Sequence, residues 1–296
     1  MTEMELCGAV SVSFEDAPIG AFDSGYGGLT VLKEIARLMP GENTVFVGDS
    51  EFFPYGPKPL KDVRSRVMRI CSFLAEKGCK LIVIACNTAT AAGLRDAQRE
   101  FGIPIIGVVE PGSRAAVYVA HTRKIGVIAT QGTVNSGAYV DAIQNLDAGI
   151  EVIQLATPQL VDYAEAGIQL GVQDPDLLSD LISKTKEAML PMRREGIDTL
   201  VMGCTHFPLV AELIQECIGE DVTLVSSAEE TALEVRSILQ RQDRLRAIQI
   251  HDDVYEFGKR VFYTTSDDIG GFRTFAMRVI GRVLAGYDPV FEHADV

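Results

Sequence analysis

A chain of 296 residues, 47% hydrophobic and 23% charged, has apolar material for one large core or two ordinary ones and the composition of a globular domain protein. Its formal net charge of −14 excludes the broad basic face that binds nucleic acid, and no apolar run approaches the roughly 18 residues of a membrane span. The start, "MTEMELCGAVSVSFEDAP", is acidic where a signal peptide would be basic, so the expectation is a cytoplasmic protein with neither nucleic acid nor membrane as partner.

Residues 1–17 read as a loose amino-terminal extension. Beyond them, apolar runs alternate with amphipathic stretches. "PIGAFDS" precedes the helical pattern "LTVLKEIARLM", "NTVFVGDS" precedes "LKDVRSRVMRICSFLAEKG", and "KLIVIACNT" runs into "NTATAAGLRDAQREFG". Further strands follow in "IPIIGVVE", "KIGVIAT", "IEVIQLAT", "DTLVMGCT" and "VTLVSSA", with the helical "DPDLLSDLISKTKEAMLPMRREG" among them. Strands apolar on both faces and separated by helices predict parallel sheets of the α/β class. The segment Gln240–Arg260 is too polar for a core element and reads as a surface connection. "RVFYTTSDDIGGFRTFAMRVIGRVLAG" then supplies one more strand and helix. Nearly every run ends in Gly, Asp, Ser, Asn or Thr, at the strand ends where ligands collect in such folds.

A weak repeat is visible. "IGAFDS" at Ile19 matches "IGVIAT" at Ile125, and each is followed further on by a strand ending in cysteine, "LIVIACNT" and "TLVMGCTH". Short patterns recur by chance, but this one describes two similar α/β halves whose strand ends face each other across a cleft.

The six cysteines, at 7, 71, 79, 86, 204 and 217, are too few and scattered for a disulfide framework. Cys204 and His206 lack an accompanying CxxC or HxxxH spacing, so no metal site is expected. Cys86 falls at a strand-to-helix turn, where the positive end of the following helix lowers a thiol pKa. A single buried cysteine is more often a small hydrophobe. Cys204 changes that balance, because it occupies the equivalent place in the other half and is also followed at once by polar residues. Cys71, Cys79 and Cys217 lie on helices or their ends and fit packing, as does Cys7 in the extension. Two thiols on opposite sides of a substrate can act as an acid/base pair, one removing a proton from carbon while the other returns one to the opposite face.

His206 could tune Cys204 or relay its proton. In "FDSGYGG", Asp23 and Ser24 end the first strand, and the glycines would let backbone approach a ligand and open a helix able to hold an anion. The loop lacks GK[ST] and GxGxxG, which makes it a poor nucleotide site. Asp23 otherwise reads as a helix cap; its counterpart in the repeat is Ala129. Tyr55, Gly56, Asn87, Thr88, Thr130, Thr133 and Thr205 complete a set of hydroxyl, amide and backbone groups suited to carboxylate and ammonium. Glu165 reads either as a solvated helix face or as an acceptor for an ammonium group.

Taken in order, "FDSGYGG", "PYG", "ACNTATA", "GVVEPG", "ATQGTVNSGAY", "GCTHFP" and "FYTTSDDIGGF" resemble the glutamate racemases of the cofactor-independent aspartate/glutamate racemase superfamily. The resemblance implies two similar three-layer α/β domains with mostly parallel sheets and the active site in the cleft between them, one domain of residues 18–110 plus 225–296 and the other of 111–224. It implies an isomerase interconverting L- and D-glutamate with no cofactor, neither pyridoxal phosphate nor metal, and supplying D-glutamate for peptidoglycan. Carried over, Cys86 and Cys204 are the catalytic acid/bases, assisted by Asp23 and His206. Glu165 matches a helper glutamate, although "ATPQLVDYAEAG" departs from the usual "ACP" start. Substrate contacts fall to Asp23, Ser24, Tyr55, Gly56, Asn87, Thr88, Thr205 and His206, joined by Thr130 and Thr133 from the strand-end reading. A homodimer is the implied assembly and a cell-wall precursor the implied activator. Tyr26 replaces a small aliphatic residue, which bears on the pocket or a dimer contact. The alternatives are a racemase for aspartate or several amino acids, and an amino-acid-binding protein without turnover.

Overall fold

In the computed structural model, which describes residues 15–170, 175–251, 254–281 and 289–296, strand and helix alternate along the chain. β1 (Ile19–Asp23) feeds α1 (Leu29–Leu38), β2 (Thr44–Gly48) feeds α2 (Leu60–Glu76), and β3 (Leu81–Ile84) feeds α3 (Asn87–Glu100) before β4 (Ile105–Gly107). The second series runs α4 (Val109–Val119), β5 (Lys124–Ala129), α5 (Gln131–Ser136), α6 (Ala138–Leu146), β6 (Glu151–Ala156), α7 (Gln159–Leu170), α8 (Pro175–Arg194), β7 (Thr199–Gly203), α9 (Ala211–Ile218) and β8 (Thr223–Ser226). α10 (Ser227–Arg241) returns the chain to the first sheet. There β9 (Gln249–His251), β10 (Val254–Glu256), β11 (Arg260–Thr264), α11 (Ile269–Ile280) and β12 (Val290–His293) follow.

Two parallel sheets result, one ordered β12-β11-β2-β1-β3-β4 and the other β6-β5-β7-β8. The run β2-β1-β3-β4 has the same order as β6-β5-β7-β8, so β1 corresponds to β5 and β3 to β7. The repeat read from sequence is therefore a repeat of topology, and it sets Cys86 and Cys204 at corresponding turns. All five residues of β1 are buried, because helices cover both faces of its sheet. Leu32 of α1, Val235 of α10 and Phe272 of α11 pack on one face, and Val67 and Ile70 of α2 with Ala97 of α3 on the other. The second sheet is sandwiched likewise, by Leu160, Met192 and Ile214 on one side and Ala116, Tyr139 and Ile143 on the other. The strand ends that carry the candidate residues are thus anchored in close-packed layers, which limits their motion.

The segment Gln240–Arg260 departs from its reading as a surface connection. It contains the antiparallel β9–β10 hairpin, and Arg246 and Arg260 are buried. Arg246 donates to the Gly41 carbonyl at 2.7 Å and to Asp16 Oδ1 at 3.0 Å, while Arg260 donates to the Glu42 carbonyl. Guanidinium groups carry donors enough to satisfy loop carbonyls after α1, so polar residues are buried here at little hydrogen-bonding cost. Lys80, also buried, adds an ion pair with Glu42 at 2.6 Å and a bond to the Glu15 carbonyl at 2.7 Å. Residues 15 and 16, the described end of the extension, are therefore tied down rather than loose. Residues 1–14, with Cys7, lie outside the described residues. Tyr26 stacks on Phe272 with ring centroids 4.9 Å apart and so fills the first core beside α11. Among the described residues no helix is long and apolar enough to cross a membrane.

Candidate active site

Cys86 occupies the N-cap position of α3, two residues beyond β3, and its thiol donates to Ser24 Oγ at 3.8 Å. The sequence predicts a lowered pKa, and the structure reverses it. Burial first, then the Asp23 carboxylate and the charge of Cys204, push the thiol above its ordinary range, against the Ala89 N–H and Ser24 hydroxyl, which favour the thiolate. A helix end supplies only a fraction of a charge, whereas loss of water disfavours the anion outright.

Cys204 follows β7 in the turn before a short 3-10 helix, Phe207–Val210. Its Sγ lies 3.8 Å from His206 Nδ1, and His206 Nε2 lies 3.0 Å from Glu165 Oε1. Burial pulls the imidazole pKa down. Hydrogen bonds to Cys204 and Glu165 and the charges of Cys204 and Asp23 outweigh it and raise the value to about 10. His206 is thus a cation at neutral pH, held between a sulfur and a carboxylate. Glu165, ambiguous in sequence, belongs to this relay and stands off the cavity wall.

The glycines of "FDSGYGG" are not among the residues lining the cavity described below. A Cβ on Gly27 would stand 2.5 Å from both His206 Nδ1 and Thr205 Oγ1, and one on Gly28 would stand 2.6 Å from Asp23 Cβ. They make room for the site's own side chains. Nor is the start of α1 an open anion cradle, because the N–H groups of Leu29, Thr30 and Val31 already donate to the carbonyls of Tyr26, Gly27 and Gly28. Asp23 is fully buried and accepts from the Gly25 N–H and the Thr205 hydroxyl, each at 3.3 Å. It acts on Cys86 electrostatically from behind the cavity wall, and Gly25, whose N–H it accepts, precedes the helix.

One cavity of about 280 Å³ gathers Ser24, Tyr55, Gly56, Cys86, Asn87, Thr88, Thr130, Cys204, Thr205 and His206. Phe53, Pro54, Pro57, Gln131, Pro158, Val161 and Asp162 complete its lining and were not singled out in the sequence. Both thiols therefore open on one space, with walls from both sheets. Thr133 is fully buried and does not line it. Its hydroxyl is 3.1 Å from those of Thr88 and Thr130, which are 2.9 Å apart, so this threonine supports two wall residues. Tyr55 spends its hydroxyl on Asp49 at 2.6 Å, and Arg66 clamps the same carboxylate at 2.6 and 2.9 Å. Tyr55 is left with its ring and backbone for the cavity. A separate cavity of about 370 Å³, between α3 and α6, contains none of these residues. Among the described residues no cluster of three or more His, Cys, Asp or Glu could hold a metal ion.

A family model described as Asp/Glu/Hydantoin racemase matches residues 26–235. The chain is 47% identical over 238 residues to the glutamate racemase of Corynebacterium glutamicum, an overlap of 80% of this chain and 84% of that one. Its fold matches glutamate racemase isoform RacE1 of Bacillus anthracis with a TM-score of 0.82 and 39% identity, covering 95% of this chain and 98% of the other. The glutamate racemase of Escherichia coli, solved with L-glutamate and the activator UDP-MurNAc-ala, matches with a TM-score of 0.74 and 27% identity over 95% and 99% of the two chains.

Proposed function

The chain belongs to the Asp/Glu/Hydantoin racemase family, and from that membership we propose that it is a glutamate racemase in which Cys86 and Cys204 are the two acid/base groups. The observation that carries the reading is the pair of thiols at corresponding strand ends of two sheets, opening on one cavity.

Racemisation needs a base on one face of the α-carbon and an acid on the other. A thiolate takes the α-proton, a carbanion forms, and the opposed thiol delivers its own proton to the other face. The configuration inverts and the two sulfurs exchange protonation states, so the reverse reaction starts from the state the forward one leaves. Cys86, held above the ordinary thiol range, keeps its proton at neutral pH and is ready as the acid. Negative charge on Cys204 is met by the His206 imidazolium 3.8 Å away, backed by Glu165. Ser24, Asn87, Thr88 and Thr130 offer donors to the two carboxylates. Discrimination from aspartate rests on one methylene, worth only about 1–3 kcal/mol.

The lobe division that goes with this reading puts residues 18–110 and 225–296 in one lobe and 111–224 in the other, supported by the strands each sheet recruits. Glutamate as substrate and a UDP-MurNAc-ala-like activator are supported by the Escherichia coli neighbour, which was solved with both kinds of ligand. A homodimeric cytoplasmic enzyme feeding peptidoglycan synthesis completes the proposal, on the strength of the family resemblance.

The test is proton NMR and circular dichroism of the purified protein with L-glutamate in D2O, reductant present and no cofactor added, beside L-aspartate. Loss of the glutamate α-proton signal with decay of ellipticity is expected. Retention of both signals, with UDP-MurNAc-ala also supplied, would rule the activity out, and faster loss from aspartate would reassign the substrate.

A further inference from the structure

Asn87 follows Cys86 directly and forms part of the cavity wall. Its Oδ1 accepts a 2.7 Å hydrogen bond from the hydroxyl of Tyr139, which comes from α6 in the other lobe and is fully buried. At the other end of the carboxamide, Nδ2 is buried and has no partner among the described residues.

These contacts define which way the amide faces. The Tyr139 hydroxyl gives its proton to this amide, and the only end of a carboxamide able to accept it is the carbonyl oxygen. The NH2 group must then turn the other way. A buried NH2 without an acceptor is costly, and such an exception in a wall residue marks a place reserved for a ligand acceptor. The ring that enforces this is itself confined: a Cβ on Gly203, next to Cys204, would stand 3.0 Å from Tyr139 Cε2.

We propose that Tyr139 is a positioning residue for substrate binding, which locks the Asn87 amide so that its NH2 donates to a carboxylate of the substrate. The inference rests on reading the cavity as the glutamate site. It makes substrate affinity depend on a residue of one lobe acting through a residue of the other.

The test is a double-mutant cycle on Tyr139→Phe and Asn87→Ala, read by KM and kcat for L-glutamate and by calorimetric glutamate affinity. Tyr139→Phe is expected to raise KM about tenfold with kcat changed by less than about threefold, the pattern of lost ground-state binding. In the Asn87→Ala background it should add nothing further, whereas a merely structural role for the tyrosine would persist there. An unchanged KM in Tyr139→Phe, or effects that multiply in the double variant, would overturn the inference. Should Tyr139→Phe not fold, Asn87→Ala alone carries the test, and an unchanged KM there is the overturning result. A wild-type protein that neither racemises nor binds glutamate overturns the parent reading together with this one. A wild type that does either, matched by Tyr139→Phe, overturns this inference alone.

Discussion

Glu165 holds His206 by a 3.0 Å contact between Oε1 and Nε2, and the opposite nitrogen of that ring faces Cys204 Sγ at 3.8 Å. The carboxylate therefore reaches the sulfur only through the imidazole. Replacing Glu165 by Gln keeps a hydrogen-bonding group but removes the charge that favours the imidazolium. The expected result is a fall in kcat of about 10- to 100-fold, with the alkaline limb of the pH–rate profile moved to lower pH. Profiles of kcat/KM for the two proteins check it, and superimposable profiles would show that Glu165 is not coupled to the reacting thiol.

The raised pKa of His206 is also a statement about stability. The group ordinarily titrates at 6.5 and in the fold at about 10, so the folded state holds a proton that the unfolded chain gives up. The stabilisation is complete below about 6.5 and is lost as pH rises through about 10. Cys71, Cys79 and Cys86 are likewise raised, from 9.0, and add loss of the same sign only above that value. Between pH 6.5 and 8.5, denaturant unfolding under reducing conditions should show wild-type stability declining with pH and His206→Gln nearly flat. Parallel curves for the two would contradict the assignment of a buried imidazolium.

How far the site could be read in advance depended on whether a residue's role lay in its own position or in what packs against it. Cys86 and Cys204 were legible because a cysteine closing an apolar run is a local pattern, and the repeated strand order of the sheets made the two equivalent. The pairing of Glu165 with His206, of Tyr139 with Asn87 and of Arg66 with Asp49 and Tyr55 joins separate elements, and nothing in the local sequence announces it. The sign of the Cys86 shift departs from the sequence expectation for a related reason: the helix end is visible in sequence, but burial and Asp23, which outweigh it, follow from closure of the fold. Gln240–Arg260 departs from the surface expectation because a polar segment can be buried when its arginines find backbone carbonyls.

Gly27 offers a steric test of the relay. Its φ is not in the left-handed region, so alanine is tolerated by the backbone, but the added Cβ would lie 2.5 Å from His206 Nδ1 and Thr205 Oγ1. The imidazole or the loop must move. Gly27→Ala is expected to lower kcat by about 100-fold through misplacement of the ring and to cost about 1–3 kcal/mol of stability from overpacking. Gly102→Ala, where a Cβ meets nothing within 4 Å, is the control and should leave both unchanged. Full activity in Gly27→Ala would mean that the position of His206 is unimportant to turnover.

Thiol labelling separates the two cavity-lining cysteines from the packing ones and from each other. Cys71 and Cys79 are pushed up to about 12 and Cys217 to about 11 by burial, and none of the three lines the active-site cavity. Iodoacetamide at pH 8 with mass mapping should therefore modify Cys204 and Cys86 first among these five, since only they open on the cavity. Cys204, beside a cationic imidazole, should react ahead of Cys86, whose thiolate is disfavoured by burial and by Asp23. L-Glutamate should slow both. Asp23→Asn should quicken Cys86 selectively, because it removes a negative charge that opposes the thiolate while leaving the packing in place. Equal labelling of Cys86 in wild type and Asp23→Asn would show that burial alone sets its protonation, and preferential labelling of Cys71 would contradict the cavity as the reactive site.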